Sequence, residues 1–313
     1  MSLRQRFELR IGGARTRLGE RTLIMGVVNV TPDSFSDGGR YSTPARAIAR
    51  GCELARQGAD WIDVGGESTR PGSKPVAAEE ELRRVLPVIR GLRKRLREVP
   101  ISIDTAKAAV AEEAIRAGAT IINDVSGLRF DAQIAEVARR HRAPLILMHL
   151  RGSPETMQRA PFARSVWRSV GGGLAWSVRR ALASGVRRSQ LIIDPGLGFG
   201  KTRRQNFELL AGLGRLRRFR LPILVGASRK SFVQAVVAGE GLFPSAASSL
   251  WALTRGKALE AGTGRAVSLC LGDAAAITAA ILAGAHIVRV HDVAAALPAV
   301  RIADAILAAG TGG

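Results

Sequence analysis

Eight short apolar runs in this chain end in residues able to do chemistry: Asn29, Asp63, Asp104, Asn123 with Asp124, His149, Asp194, Ser228, and Arg289 with His291. Carboxylates and amides of this kind exchange hydrogen bonds with the edge of a polar ring. Three glycine-rich stretches accompany them, VGGESTRPGS (64–73), DPGLGFGK (194–201) and VGASRKS (225–231). Glycine lets a backbone approach a ligand or take a positive φ. The SRKS run opens a helix, whose N-terminus suits a carboxylate or phosphate. Arg70, Arg289 and His291 add cationic donors for an anionic group. Taken singly, several of these residues have plain structural uses. Asp63 could serve amides of its own loop, Asp124 could cap a turn, and His149 reads as a satisfied core histidine. Polar residues at all eight ends have no such explanation. They call for a polar, planar or heterocyclic substrate bound together with an anion, and they do not by themselves name a reaction.

The elements that must position these residues are legible in the same runs. LIMGVVNV (23–30), ADWIDVGG (59–66), PISIDT (100–105), TIINDVSG (120–127), PLILMHL (144–150), LIIDPG (191–196), PILVGAS (222–228) and HIVRVHD (286–292) are near-continuously apolar. That is the pattern of strands buried on both faces. Between them lie amphipathic stretches such as AEEELRRVLPVIRGLRKRL and DAQIAEVARRH, with apolar positions at helical spacing. Alternating strand and helix implies a parallel sheet. Eight such units imply an α/β fold of the closed (β/α)8 type, a TIM barrel. An open doubly wound sheet is the alternative, weakened because no GxGxxG opens a helix after the first strand. Residues 1–20 read as an N-terminal β-hairpin turning at Gly12-Gly13 and placed under the barrel. The connection 229–285 is the longest and carries an insertion, 239–265, between strands seven and eight. The whole chain, 1–313, reads as one domain.

Composition narrows the class. A 46% hydrophobic content supplies a large core. No run of 18 apolar residues exists to span a membrane. The first ten residues, MSLRQRFELR, carry charges where a signal peptide needs its apolar core, so a cytoplasmic protein is expected. Cys52 and Cys270 have no metal or redox spacing and read as core fillers in a reducing compartment. The net charge of +21 is high, yet the basic residues are spread over helical patterns and aromatic residues make up only 4%. With little to stack on bases, the charge reads as an arginine-rich surface and not as a nucleic-acid site.

The chain resembles the dihydropteroate synthases, the folate-pathway family targeted by sulfonamides. The stretches that carry the resemblance are NVTPDSFSDGG, DVGGESTRPGS, SIDT, INDVSG, MHLRGSPETMQ, DPGLGFGKTRRQN, GASRKSF and IVRVHDV, in the family's order over roughly residues 22–296. The resemblance implies an enzyme that joins 6-hydroxymethyl-7,8-dihydropterin diphosphate to p-aminobenzoate, releasing pyrophosphate. Carried across by motif, Asp104, Asn123, Asp194 and Lys230 hold the pterin, with Met148, Phe199 and Arg289 against its ring. Asn29 is the Mg²⁺ ligand, and Mg²⁺ is the implied cofactor. Thr69, Arg70, Arg289 and His291 lie where diphosphate and second substrate meet, and Ser231 takes the p-aminobenzoate carboxylate. The loops holding Phe35 and Pro71 are expected to form a lid, with those two residues walling the p-aminobenzoate ring. No nucleophile or base is implied, because a neutral aromatic amine attacks a stabilised cation. A homodimer is expected, with no nucleic-acid or membrane partner. A pterin-dependent methyltransferase and an inactive paralogue of the same fold are the alternatives. Two departures stand out: the 239–265 insertion, and Gly272-Asp273 where the family has Gly-Ser or Gly-Thr opening a helix. Asp273 is expected there as an N-cap.

Overall fold

The computed structural model describes residues 4–31, 43–69, 72–159, 163–239 and 262–310. A hairpin of β1 (Phe7–Ile11) and β2 (Ala14–Leu18) precedes the alternating series. The series runs β3 (Leu23–Asn29), α1 (Thr43–Arg56), β4 (Trp61–Gly65), α2 (Ala78–Arg95), β5 (Ile101–Asp104), α3 (Ala108–Arg116), β6 (Ile121–Asp124) and α4 (Ile134–His141). It continues with β7 (Leu145–Met148), α5 (Val166–Ala183), β8 (Leu191–Asp194), α6 (Arg203–Ala211), β9 (Leu224–Val225) and α7 (Ser231–Val237). Then come α8 (Gly262–Leu282), β10 (Ile287–Val290) and α9 (Val293–Ala309). All eight expected barrel strands form.

They lie parallel in the order β8-β7-β6-β5-β4-β3-β10-β9. The ends meet where Ile193 bridges Ile223 and the Ile193 N–H donates to the Pro222 carbonyl at 3.0 Å. The sheet therefore closes into a barrel, and the open doubly wound alternative falls.

The continuous apolar runs have a two-sided cause. Outward residues such as Ile24, Ile62, Ile103, Ile122, Leu147 and Val288 join the helices in one large core. Inward residues of the lower layer, among them Met25, Trp61, Ile121, Ile146, Ile192 and Ile287, cluster with Leu9, Ile11 and Leu18 of the hairpin. The hairpin thus plugs the barrel bottom as expected. Its turn requires positive φ twice, met by Gly12 at 56° and Gly13 at 90°.

Two expectations are corrected. Gly272 and Asp273 lie in the middle of α8 and not at its start. The preceding RAVSLCL contains no breaker, so the helix runs through, and Asp273 caps nothing of its own. Cys52 packs against the core as expected, but Cys270 is exposed on α8 and fills no core. Most of the 239–265 insertion lies outside the described residues. No helix among them is long and apolar enough to cross a membrane.

Candidate active site

Side chains alternate sides along a strand, so the inward residue two places beyond each apolar plug residue faces the mouth of the barrel. Ile121 is followed by Asn123, Ile146 by Met148, Ile192 by Asp194 and Ile287 by Arg289. Register then sets the level. Asn29 pairs with Gly65, Gly65 with Asp104, and Asp104 with Asn123, while Met148 pairs with Asp194.

Arg289 ties this layer together. Its Nε donates to Asp63 Oδ2 at 2.7 Å and its Nη2 to Asp104 Oδ2 at 2.7 Å. Asn123 Nδ2 donates to the same Asp63 oxygen at 3.2 Å. Burial works against the Arg289 charge, but Asp63 and Asp104 more than reverse this and hold the guanidinium above its usual range. Burial pushes the Asp104 carboxyl upward; Arg289 opposes the rise and Asp63 adds to it. Asp63 Oδ1 and Asp104 Oδ1 are buried with no partner among the described residues. Such oxygens are costly unless a ligand donor meets them.

On the opposite wall, Asp194 Oδ1 accepts from the Gly196 N–H at 2.7 Å. Burial raises the Asp194 carboxyl against that bond and against Lys230, Lys201 and Arg289. Lys230 Nζ sits 4.2 Å from the centroid of the Phe199 ring. Burial first, and then repulsion from Arg289, bring this ammonium down to about 8 despite Asp194 and Asp104. Met148 and Phe199 pack with Val125, Leu150 and Met157 in a small apolar cluster beside these charges.

The side chains enclose a two-part cleft. The wide part, about 430 Å³, is lined by Asn29, Thr69, Lys230, Ser231, Arg289 and His291 among others. A narrow arm of about 20 Å³ runs between Asn123, Met148, Asp194, Phe199, Lys230 and Arg289. Asp104 lies beneath them through its bond to Arg289. Of the site residues read from the sequence, Phe35, Arg70 and Pro71 lie outside the described residues, and the lid built on them lies there too.

Several supports escaped the sequence reading. Among the described residues Asp63 serves no amide of its own loop; it fixes Arg289 and Asn123. Lys201 is buried and donates to the carbonyls of His149 at 2.8 Å and Gly196 at 2.6 Å, stitching two loops together. Burial pushes its ammonium well below the usual range. Gly196, at φ 67°, is required beside it, since a Cβ there would lie 2.1 Å from the His149 carbonyl oxygen. Lys107 holds Glu67 of the second loop and donates to buried Glu81 at 2.6 Å. The strand-end place of Asp63, the lysine after GFG and the one after SIDTA were the signals for these supports, and none of them names a partner.

Asp124 proved a turn cap, accepting from Ser126 N at 2.8 Å, Ser126 Oγ at 2.7 Å and Leu128 N at 2.6 Å. His149 is a buried histidine outside the cleft lining but not a satisfied one: its Nδ1 has no partner among the described residues, and burial, with Lys201 and Arg129, pushes the ring down to about 2.

Fold and site define a (β/α)8 barrel whose strand ends line a polar cleft carrying carboxylate, amide and cationic side chains. The family described as pterin binding enzyme matches residues 25–291. A dihydropteroate synthase of Synechocystis is 42% identical over 288 residues, covering 92% of this chain and 91% of that protein. One of Escherichia coli is 40% identical over 286 residues, covering 91% and 92%. Among solved structures, Xanthomonas albilineans dihydropteroate synthase with 4-aminobenzoic acid has a TM-score of 0.82 at 38% identity, covering 97% of this chain and 99% of that one. The same enzyme in complex with 7,8-dihydropteroate has a TM-score of 0.76 at 34% identity, covering 96% and 98%. The chain belongs to the pterin-binding enzyme family, among its dihydropteroate synthases. The methyltransferase and inactive-paralogue alternatives are not favoured beside such relatives.

Proposed function

We propose that this cleft condenses 6-hydroxymethyl-7,8-dihydropterin diphosphate with p-aminobenzoate, giving 7,8-dihydropteroate and pyrophosphate. The observation that carries the reading is the narrow arm, where Asn123, Asp194, Lys230 and Arg289 surround space beside Met148 and Phe199. A pterin presents an amino and N3–H edge that an ionised Asp194 accepts through two parallel hydrogen bonds. Lys230 swings from the Phe199 ring to donate to the pterin carbonyl and ring nitrogen, opening the arm to the bicycle. Arg289, fixed by Asp63 and Asp104, lies across the ring face.

The wide part then holds the diphosphate near Thr69 and His291, and p-aminobenzoate with its carboxylate at Ser231. The C–O bond between the pterin methylene and the diphosphate breaks, and the electron pair leaves with pyrophosphate. The resulting cation is delocalised into the electron-rich ring. The neutral aromatic amine forms the new C–N bond and afterwards loses a proton to solvent. The cationic donors stabilise the leaving group electrostatically. No protein base is needed, since the amine is not protonated near neutral pH.

Asn29 suits Mg²⁺. Its amide lines the cleft with no hydrogen-bond partner among the described residues. No group of three or more His, Cys, Asp or Glu there could hold a metal alone. A single neutral oxygen fits a hard cation whose other ligands are phosphate oxygens and water. When bound, Mg²⁺ would neutralise charge on the departing diphosphate. The partner we propose for the exposed apolar residues Leu271, Ile302 and Ile306 is a second copy of the chain, checked by sedimentation.

The activity is tested with purified protein, both substrates and Mg²⁺, following dihydropteroate by chromatography. Absence of product would overturn the reading. Asn29→Ala should raise the Mg²⁺ concentration for half-maximal rate about tenfold, a loss of roughly 1.4 kcal/mol; an unchanged Mg²⁺ titration would remove Asn29 from the metal site.

A further inference from the structure

The loop after β9 contains a strained residue. Arg229 has φ 56°, in the left-handed region that side chains other than glycine rarely adopt. Something must hold it there, because Ser228, Lys230 and Ser231 on either side all line the cleft. The group that holds it comes from α8. Asp273 accepts from the Arg229 N–H through both oxygens, at 3.1 Å and 2.8 Å, and from the Ser228 hydroxyl at 3.1 Å. Ser228 Oγ in turn lies 3.4 Å from both His291 N and His291 Nδ1. Gly272 allows the approach: a Cβ there would meet Val237 of α7 at 2.5 Å and Val233 at 3.2 Å. Close packing of α7 on α8 thus sets the carboxylate beside the loop.

We propose that Asp273 is the positioning residue of this loop. It clamps Arg229 in its left-handed conformation and orients Ser228, thereby setting Lys230, Ser231 and His291 for their substrates. The inference rests on the reading given under Proposed function for what those residues bind. The clamp itself is a property of the unliganded protein.

The test uses the full chain and three substitutions. Asp273→Ala removes both acceptors. Asp273→Asn keeps one oxygen for the Arg229 N–H and an amide that can donate to Ser228 Oγ. Arg229→Gly removes the steric reason for a clamp. Hydrogen exchange of residues 226–231 in the unliganded protein should quicken at least tenfold in Asp273→Ala and return to within threefold of wild type in Asp273→Asn. KM for p-aminobenzoate should rise at least tenfold in Asp273→Ala, with the melting temperature changed by a few degrees at most. In the Arg229→Gly background the same alanine substitution should change KM less than threefold.

Exchange and KM within twofold of wild type in Asp273→Ala would overturn the inference, as would a defect that asparagine does not rescue. Should Asp273→Ala not fold, Asp273→Leu, of similar size but with no acceptor, takes its place in each comparison. Wild-type protein that makes no dihydropteroate would sink the proposed activity and leave the exchange result to judge the clamp.

Discussion

At the scale of the residue, the site works by sharing few charges among many partners. One guanidinium, Arg289, serves Asp63 and Asp104 at once. Lysine could not replace it, since a point-like ammonium lacks the planar fork that reaches both carboxylates. On the facing wall, Asp194→Asn keeps the shape but turns the acceptor we propose for the pterin N–H groups into a donor. It should cost about 2–4 kcal/mol in kcat/KM, and activity within threefold of wild type would remove Asp194 from the pterin edge. Lys230 gives a pH test. Its ammonium, lowered to about 8 chiefly by burial, is charged below that value and neutral above it. The kcat/KM profile for the pterin diphosphate should therefore fall as pH rises through about 8. Lys230→Arg stays charged, so its profile should stay flat across that range whatever the loss in absolute rate; a retained alkaline limb would assign it to another group.

At the scale of the element, each strand carries plug, layer and mouth residues in turn, so a change at one end is felt at the other. His286, just before β10, joins three pieces at the bottom. Its Nδ1 accepts from Ile223 N at 3.1 Å, its Nε2 lies 3.0 Å from the Gln5 carbonyl, and its ring meets Phe7 edge-on at 5.2 Å. These contacts need the neutral Nε2–H tautomer, and burial pushes the imidazole down from 6.5 to about 4. An unfolded chain takes up the proton below 6.5 while the native one does not until about 4. The stability supplied by this histidine is thus complete above pH 6.5 and is lost on acidification, by about 1.4 kcal/mol per pH unit. Urea unfolding at pH 7, 6 and 5 should show the gap between wild type and His286→Gln shrinking at about half that rate from pH 7 to 6 and approaching it from pH 6 to 5. A gap that stays constant would mean that the ring titrates alike in both states.

At the scale of the whole molecule, the net charge of +21 finds a structural place. Basic residues occupy the last turns of successive helices: Arg56, Arg93 to Arg95, Arg116, Arg139 with Arg140, and Arg180. There they meet the negative end of each helix dipole. In this barrel those ends lie on the face opposite the cleft. Several are also spent on glutamates, as Arg116 and Arg140 are on Glu112 at 2.9 Å and 2.8 Å. Binding to heparin should accordingly be weak and lost in moderate salt, and saturating heparin should leave kcat/KM unchanged. Competitive inhibition by heparin would place a polyanion at the cleft instead.

The sequence by itself determined the repeating unit, because strands buried on two sides must be apolar throughout and helices over them must be amphipathic. It also determined the mouth residues Asn29, Asp104, Asn123, Asp194 and Arg289, since a polar residue closing a buried strand has few places to go. What it left open was who holds them. Asp63, Lys201 and Asp273 act on partners far along the chain, Asp63 on Arg289 across 226 positions and Asp273 on Arg229 across 44. Asp273 carries no local sign of its use, for a helix with no breaker reads the same whether one aspartate faces solvent or a neighbouring loop. Only closure of the barrel, and the packing of α7 against Gly272, decided that it faces the loop.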